Sequence, residues 1–168
     1  DFLLHSIAFA PKADLHGRVV DSSLEGFLQA MDISCHSFIR MARLAEPLMK
    51  DGGCLMTMSY LGGEEVIPNY GIMGPVKAAL ESTVRYLAHE LGGQGIRVNA
   101  ISPGTIMTRA SSGIASFDTL VEENALRAPM GAVHIEDVGP LSVFFASDGA
   151  RAITGANIYV DGGYNILN

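Results

Sequence analysis

Between Gly53 and Ser102 a short apolar run, a long helix-forming run and a second apolar run follow one another. Cys54–Ser59 and Ile96–Ser102 are each about one strand long. The segment from Tyr70 to Leu91 carries helix-like periodicity, and Gly92-Gly93-Gln94-Gly95 stops it. Two strands joined by so long a crossover can only lie parallel, and a parallel sheet needs helices over both faces. This one stretch commits the chain to an α/β architecture.

The rest of the chain extends the pattern. Phe2–Ile7 reads as a buried strand and Ala10–Ser23 as a loop. Leu24–Lys50 reads as one long helix that Pro47 kinks or ends. Thr105–Ser116 is small and polar. Phe117–Arg127 and Ile135–Ser147 read as helices, the latter tolerating Pro140 only if it starts near Asp137. Asn157–Val160 is a last strand. Four strands make half of a Rossmann-like doubly wound parallel sheet, whose ligands lie beyond the carboxyl ends of the strands. Ser6, Tyr60, Pro103 and Asp161 fall there. The chain opens inside a strand-like run without Met, so the reading expects the first βαβ units to precede Asp1.

Composition excludes several functions. Net charge is −7, from 11 basic and 18 acidic residues, which argues against a nucleic-acid or anionic-membrane surface. Hydrophobic residues reach 48% and charged residues 17%, as in strands buried on both faces or large subunit contacts. No apolar run is long enough for a membrane helix, and no leader is visible, so a cytoplasmic protein is expected. Cys35 and Cys54 read as reduced core thiols.

Chemistry-bearing motifs are sparse. No Gly-x-Gly-x-x-Gly or Walker loop follows a strand. His89-Glu90 lacks the second histidine of a zinc-protease helix, and no metal site is expected. Glu64-Glu65 and Glu122-Glu123 read as solvated pairs, and His5 as a core histidine. Tyr70 and Lys77 stand out. Seven residues is about two helical turns, so on one helix they would share a face. The ammonium would lower the phenol's pKa, and the phenol could donate to a developing oxyanion.

Ser59-Tyr60-Leu61-Gly62, Ile67-Pro68-Asn69-Tyr70, Met73-Gly74 and Lys77-Ala78 together resemble the enoyl-acyl-carrier-protein reductases of bacterial fatty-acid synthesis. These are a divergent branch of the short-chain dehydrogenase/reductases. The likeness continues through Gly95–Ser102, Glu136-Asp137-Val138-Gly139 and Val160-Asp161-Gly162-Gly163, and His5–Pro11 matches the segment after the family's fourth strand. Ordinary short-chain dehydrogenases place tyrosine four residues before the lysine, where Met73 stands here. The enoyl reductases use the longer Tyr-x6-Lys spacing, with a second tyrosine ten residues upstream, as Tyr60 is.

The resemblance implies NADH-dependent reduction of the 2,3 double bond of trans-2-enoyl thioesters on acyl carrier protein. It implies that Tyr70 bonds the thioester carbonyl and that Lys77 holds the nicotinamide ribose. Tyr60 and Ala10 would meet substrate. Ser6 and Ile7 would lie under the adenosine side of the cofactor, and Ile106 and Thr108 at its nicotinamide amide and diphosphate. Residues 105–128 would form a substrate lid on a single dinucleotide-binding domain, and the assembly would be a homotetramer. Arg40, Arg43 and Arg109 are candidates for docking the acidic carrier protein. Ala8, Thr105 and Met107 depart from the family's usual Gly, Pro and basic residue. The remaining reading is a carbonyl or alcohol oxidoreductase of the same superfamily, or an inactive fragment.

Overall fold

The computed structural model describes residues 1–108 and 117–167. Four strands, β1 (Phe2–His5), β2 (Gly53–Met58), β3 (Ile96–Pro103) and β4 (Asn157–Val160), form one sheet in the order β1-β2-β3-β4, every pair parallel. Leu55 pairs with Leu3 and Val98, and Met58 with Ile101. This is the Rossmann-like α/β sheet that the alternation of runs demanded.

The helices are α1 (Lys12–Leu15), α2 (Leu24–Met31), α3 (Ser37–Ala45), α4 (Met73–Leu91), α5 (Phe117–Arg127) and α6 (Ile135–Ala146). Alternate strand residues face opposite ways, and each face has its own core. Leu55, Val98 and Ala100 pack with Phe38, Val76, Leu80 and Val84 from α3 and α4. Cys54, Met56 and Ile101 pack with Val138 and Phe145 of α6. Both cysteines are free and buried.

The expected helix over Leu24–Lys50 is interrupted. Residues Asp32–His36 form a π-helical segment between α2 and α3, and a 3₁₀ turn at Glu46–Leu48, holding Pro47, closes the run. The wider segment aims polar groups at its neighbours. Ser34 Oγ accepts from the Phe9 amide at 2.8 Å and donates to the Phe9 carbonyl at 2.9 Å. The loop after β1 is thereby fixed to the helix layer.

Three other boundaries differ from the sequence reading. The expected loop 10–23 contains α1, whose last turn closes with the His16 amide on the Lys12 carbonyl, and a 3₁₀ turn at Val19–Asp21. Pro103 is the last residue of β3 and not the start of a turn. Helix α6 begins at Ile135, two residues before Asp137, so Pro140 lies inside it. His134 and Asp137 form the reciprocal cap that sets this start. Of the expected lid over 105–128, residues 109–116 lie outside the described residues, and α5 follows them.

Leu55 is fully buried at the sheet centre, whereas Val66 is almost fully exposed. Leu55→Ala is expected to destabilise the protein by about 3 kcal/mol. Val66→Ala should stay within about 0.5 kcal/mol. Urea unfolding midpoints check both.

Candidate functional site

The carboxyl ends of β1, β2 and β3 open into a cavity of about 300 Å³. Its wall includes the residues expected to meet substrate and coenzyme: Ser6, Ile7 and Ala10 after β1, Tyr60 after β2, Tyr70, Lys77 on α4, and Ile106 and Thr108 after β3; Asp161, after β4, does not line it. These groups come from four chain segments, joined because a parallel sheet delivers its strand ends to one edge. Arg40 and Arg43 are exposed on α3 and do not line this cavity; Arg109 lies outside the described residues.

Tyr70 reaches the cavity differently from the helical argument. Helix α4 starts at Met73, and Tyr70 lies in the turn before it. Asn69 and Gly71 on either side have positive φ, 64° and 54°. A Cβ at Gly71 would stand 2.8 Å from the Leu15 carbonyl oxygen, so glycine is needed both for conformation and for space. Gly62 has a matching role, since a Cβ there would come within 2.4 Å of the Tyr70 ring. The rings of Tyr60 and Tyr70 pack tilted, with centroids 4.8 Å apart.

The expected lowering of the Tyr70 phenol is reversed. Burial pushes its pKa up, and the neighbouring Tyr60 and Glu81 add to the rise. At neutral pH Tyr70 therefore keeps its proton. Loss of water sets the direction, which spacing from Lys77 alone could not show.

Lys77 is 5% exposed, and its Nζ donates to the Met58 carbonyl at 2.6 Å, just where β2 ends. Burial brings its pKa down to about 8, with Glu81 opposing. Lys77 remains charged at neutral pH. Glu81, one turn along α4 and 4% exposed, accepts a hydrogen bond from Ser59 Oγ. Burial raises its pKa, and the Ser59 bond opposes the rise. Glu81 was missed because only carboxylates adjacent in sequence were considered; its four-residue spacing from Lys77 was the available signal.

Tyr60 Oη lies 3.0 Å from Thr105 Oγ, and Thr105 Oγ accepts from the side-chain amide of Asn124 on α5. His5, buried as expected, sits under the cavity between Thr57 Oγ and Ser37 Oγ, each at 2.8 Å. Ser37 donates its own proton to the Ile33 carbonyl at 2.6 Å. Ser37 must then accept from His5 Nε2, and Nδ1 accepts from Thr57, which assigns the neutral tautomer. Among the described residues no group of three or more His, Cys, Asp or Glu could hold a metal.

Burial, reinforced by Lys77, lowers the His5 pKa from 6.5 to about 4. The unfolded chain then binds the extra proton between these values, and the folded chain does not. The His5 contribution is complete above pH 6.5 and declines by up to about 1.4 kcal/mol per pH unit toward pH 4. Glu81 acts in the opposite sense, so the test is a difference. Unfolding free energies at pH 7.5 and 5.0 should diverge less in His5→Gln than in the parent.

Comparison with known proteins bears on this arrangement. A family model described as enoyl-(acyl carrier protein) reductase matches residues 1–165. The chain is 51% identical over 168 residues to the NADH enoyl-acyl-carrier-protein reductase FabI of Rickettsia typhi, covering 99% of this chain and 64% of that protein. The FabI of Aquifex aeolicus is 50% identical over 169 residues, covering 99% and 63%. The chain thus spans a little under two thirds of the length of these curated relatives. The Bacillus cereus enoyl-acyl carrier protein reductase, solved with NADP+ and an indole naphthyridinone, superposes with a TM-score of 0.97 at 48% identity over 99% of this chain and 65% of that one. The Anaplasma phagocytophilum reductase, solved with NAD, gives 0.95 at 47% over 100% and 64%. By sequence and by fold the chain belongs to the enoyl-(acyl carrier protein) reductase family.

Proposed function

We propose that the protein of which this chain forms part reduces the 2,3 double bond of trans-2-enoyl thioesters carried on acyl carrier protein, using NADH. The observation that carries this reading is the meeting of Tyr60, Tyr70 and Lys77 with Ser6, Ile7, Ala10, Ile106 and Thr108 around one cavity at the strand ends. The names of the relatives support the reaction and the coenzyme.

The residues suit a nicotinamide dinucleotide. A buried ammonium at the cavity wall matches the ribose hydroxyls, and the exposed residues Ser6 and Ile7 leave a shelf for the adenosine side. Ile106 and Thr108 would face the amide and diphosphate. When bound, the dinucleotide supplies a hydride for the β-carbon of the enoyl chain. Tyr70, kept protonated by burial, donates a hydrogen bond to the thioester carbonyl oxygen and holds the charge that develops there. Lys77 keeps the local potential positive, and Glu81 keeps Lys77 charged. Tyr60 and Ala10 bound the acyl side, and α5 forms part of the lid.

The single dinucleotide-binding domain, the lid and the homotetramer are parts of the same proposal. Exposed Leu24, Leu28, Leu44 and Leu48 on the α2–α3 layer support subunit association. No helix among the described residues is long and apolar enough to cross a membrane, which accords with a cytoplasmic enzyme.

The protein, offered a 2-enoyl thioester and a 3-oxoacyl thioester with NADH, is expected to turn over the enoyl substrate; turnover of the oxo substrate alone would overturn the proposal. Tyr70→Phe should lower kcat by about 10²–10³-fold with unchanged unfolding. NADH affinity should weaken as pH rises through about 8, where Lys77 loses its proton, and Lys77→Met should remove that dependence. Fluorescence titration of NADH across pH checks the expectation for Lys77.

A further inference from the structure

We propose that Thr105 and Asn124 are positioning residues that hold the Tyr60 phenol as a hydrogen-bond donor aimed into the cavity. The inference rests on the enoyl-reductase reading for its catalytic consequence and on geometry for its existence. Asn124 is 7% exposed on α5, and Thr105 is 8% exposed after β3. The Asn124 amide nitrogen has no lone pair to accept with, so it donates to Thr105 Oγ. The remaining hydroxyl proton of Thr105 needs an acceptor, and Tyr60 Oη stands 3.0 Å away. Donation in that direction occupies a lone pair of the phenol and leaves its own proton for a ligand. The three groups form a chain of one polarity, from α5 through the segment after β3 to the cavity wall.

Such a chain strengthens its last donor, because each donated bond makes the next proton more acidic. Both Thr105 and Asn124 act to lower the Tyr60 pKa against the effect of burial. Tyr60 packs on Tyr70, so the orientation it holds is passed to the ring that meets the thioester. The chain also ties α5 to the cavity, coupling the position of the lid helix to the donor strength of Tyr60. Nothing local in the sequence reveals it, since Tyr60, Thr105 and Asn124 are separated by 45 and 19 residues.

The test compares Thr105→Val, which keeps the shape and removes the hydroxyl, with Thr105→Ser, which keeps the hydroxyl. Thr105→Val should lower kcat/KM for the enoyl thioester on the order of tenfold, with the KM for NADH unchanged. Thr105→Ser should stay near the parent. In a Tyr60→Phe background Thr105→Val should have no further effect. Independently of turnover, the ¹³Cζ resonance of Tyr60, assigned by its loss in Tyr60→Phe, should shift in Thr105→Val and Asn124→Ala and not in Thr105→Ser. An unmoved resonance, equal losses in the valine and serine variants, or full additivity with Tyr60→Phe would each overturn the proposal. If the parent protein reduces no enoyl thioester, the functional reading falls, and the resonance alone still decides whether the relay exists.

Discussion

A charged amine held out of water beside the end of β2 is the constraint on which the rest of this structure depends. An ammonium as buried as Lys77 is costly unless its protons and its charge are both answered. The Met58 carbonyl answers a proton, and Glu81 answers the charge. Glu81 is itself buried and needs Ser59. Ser59 follows β2 directly, so the sheet edge, the loop after it and two turns of α4 are tied together by one electrostatic requirement. Gly63 belongs to the same arrangement, since a Cβ there would stand 2.8 Å from Glu81 Oε1. The glycines around this loop admit a carboxylate and an aromatic ring where side chains would collide with them.

The two tyrosines are governed by the same loss of water with the opposite consequence. Burial lowers an ammonium toward neutrality and raises a phenol away from ionisation, so Lys77 and Tyr70 approach from opposite directions the states that the proposed chemistry needs. A cation that stays charged and a phenol that stays protonated coexist near pH 7 without exchanging a proton. His5 beneath them is held neutral by burial and by Lys77. Among the described residues, the cavity wall thus presents one fixed positive charge, that of Lys77, among uncharged groups.

The parallel sheet was legible because period and length leave few alternatives for runs such as Cys54–Ser59 and Ile96–Ser102. The co-location of Tyr60, Tyr70 and Lys77 was legible too, through spacing and resemblance, yet the physical argument for Tyr70 was wrong. Asn69 and Gly71 adopt the left-handed conformation and turn the chain before α4 begins. An asparagine and a glycine hint at a turn, and the close approach of Gly71 to the Leu15 carbonyl, which the sequence does not show, goes with it. The sign of the Tyr70 shift could not be read at all, because desolvation depends on the whole surrounding fold. Thr105 was visible only as an unusual residue, and its partner on α5 was not visible.

The π segment between α2 and α3 has a further meaning in terms of phase. Gly26, Ala30, Ser34, Phe38 and Ala42 are all buried, and they recur at a constant interval of four. An α-helix advances about 100° per residue, so over those sixteen residues the stripe would rotate about 160° away from the core. The wider turn at Asp32–His36 absorbs much of that rotation and returns Phe38 to the face that Ala30 began. The helix layer therefore behaves as two pieces set in step by one expanded turn. Shortening that turn by a residue would leave the sequence on either side intact while swinging Phe38, and the His5 ring that packs on it at 5.2 Å, out of register with the sheet.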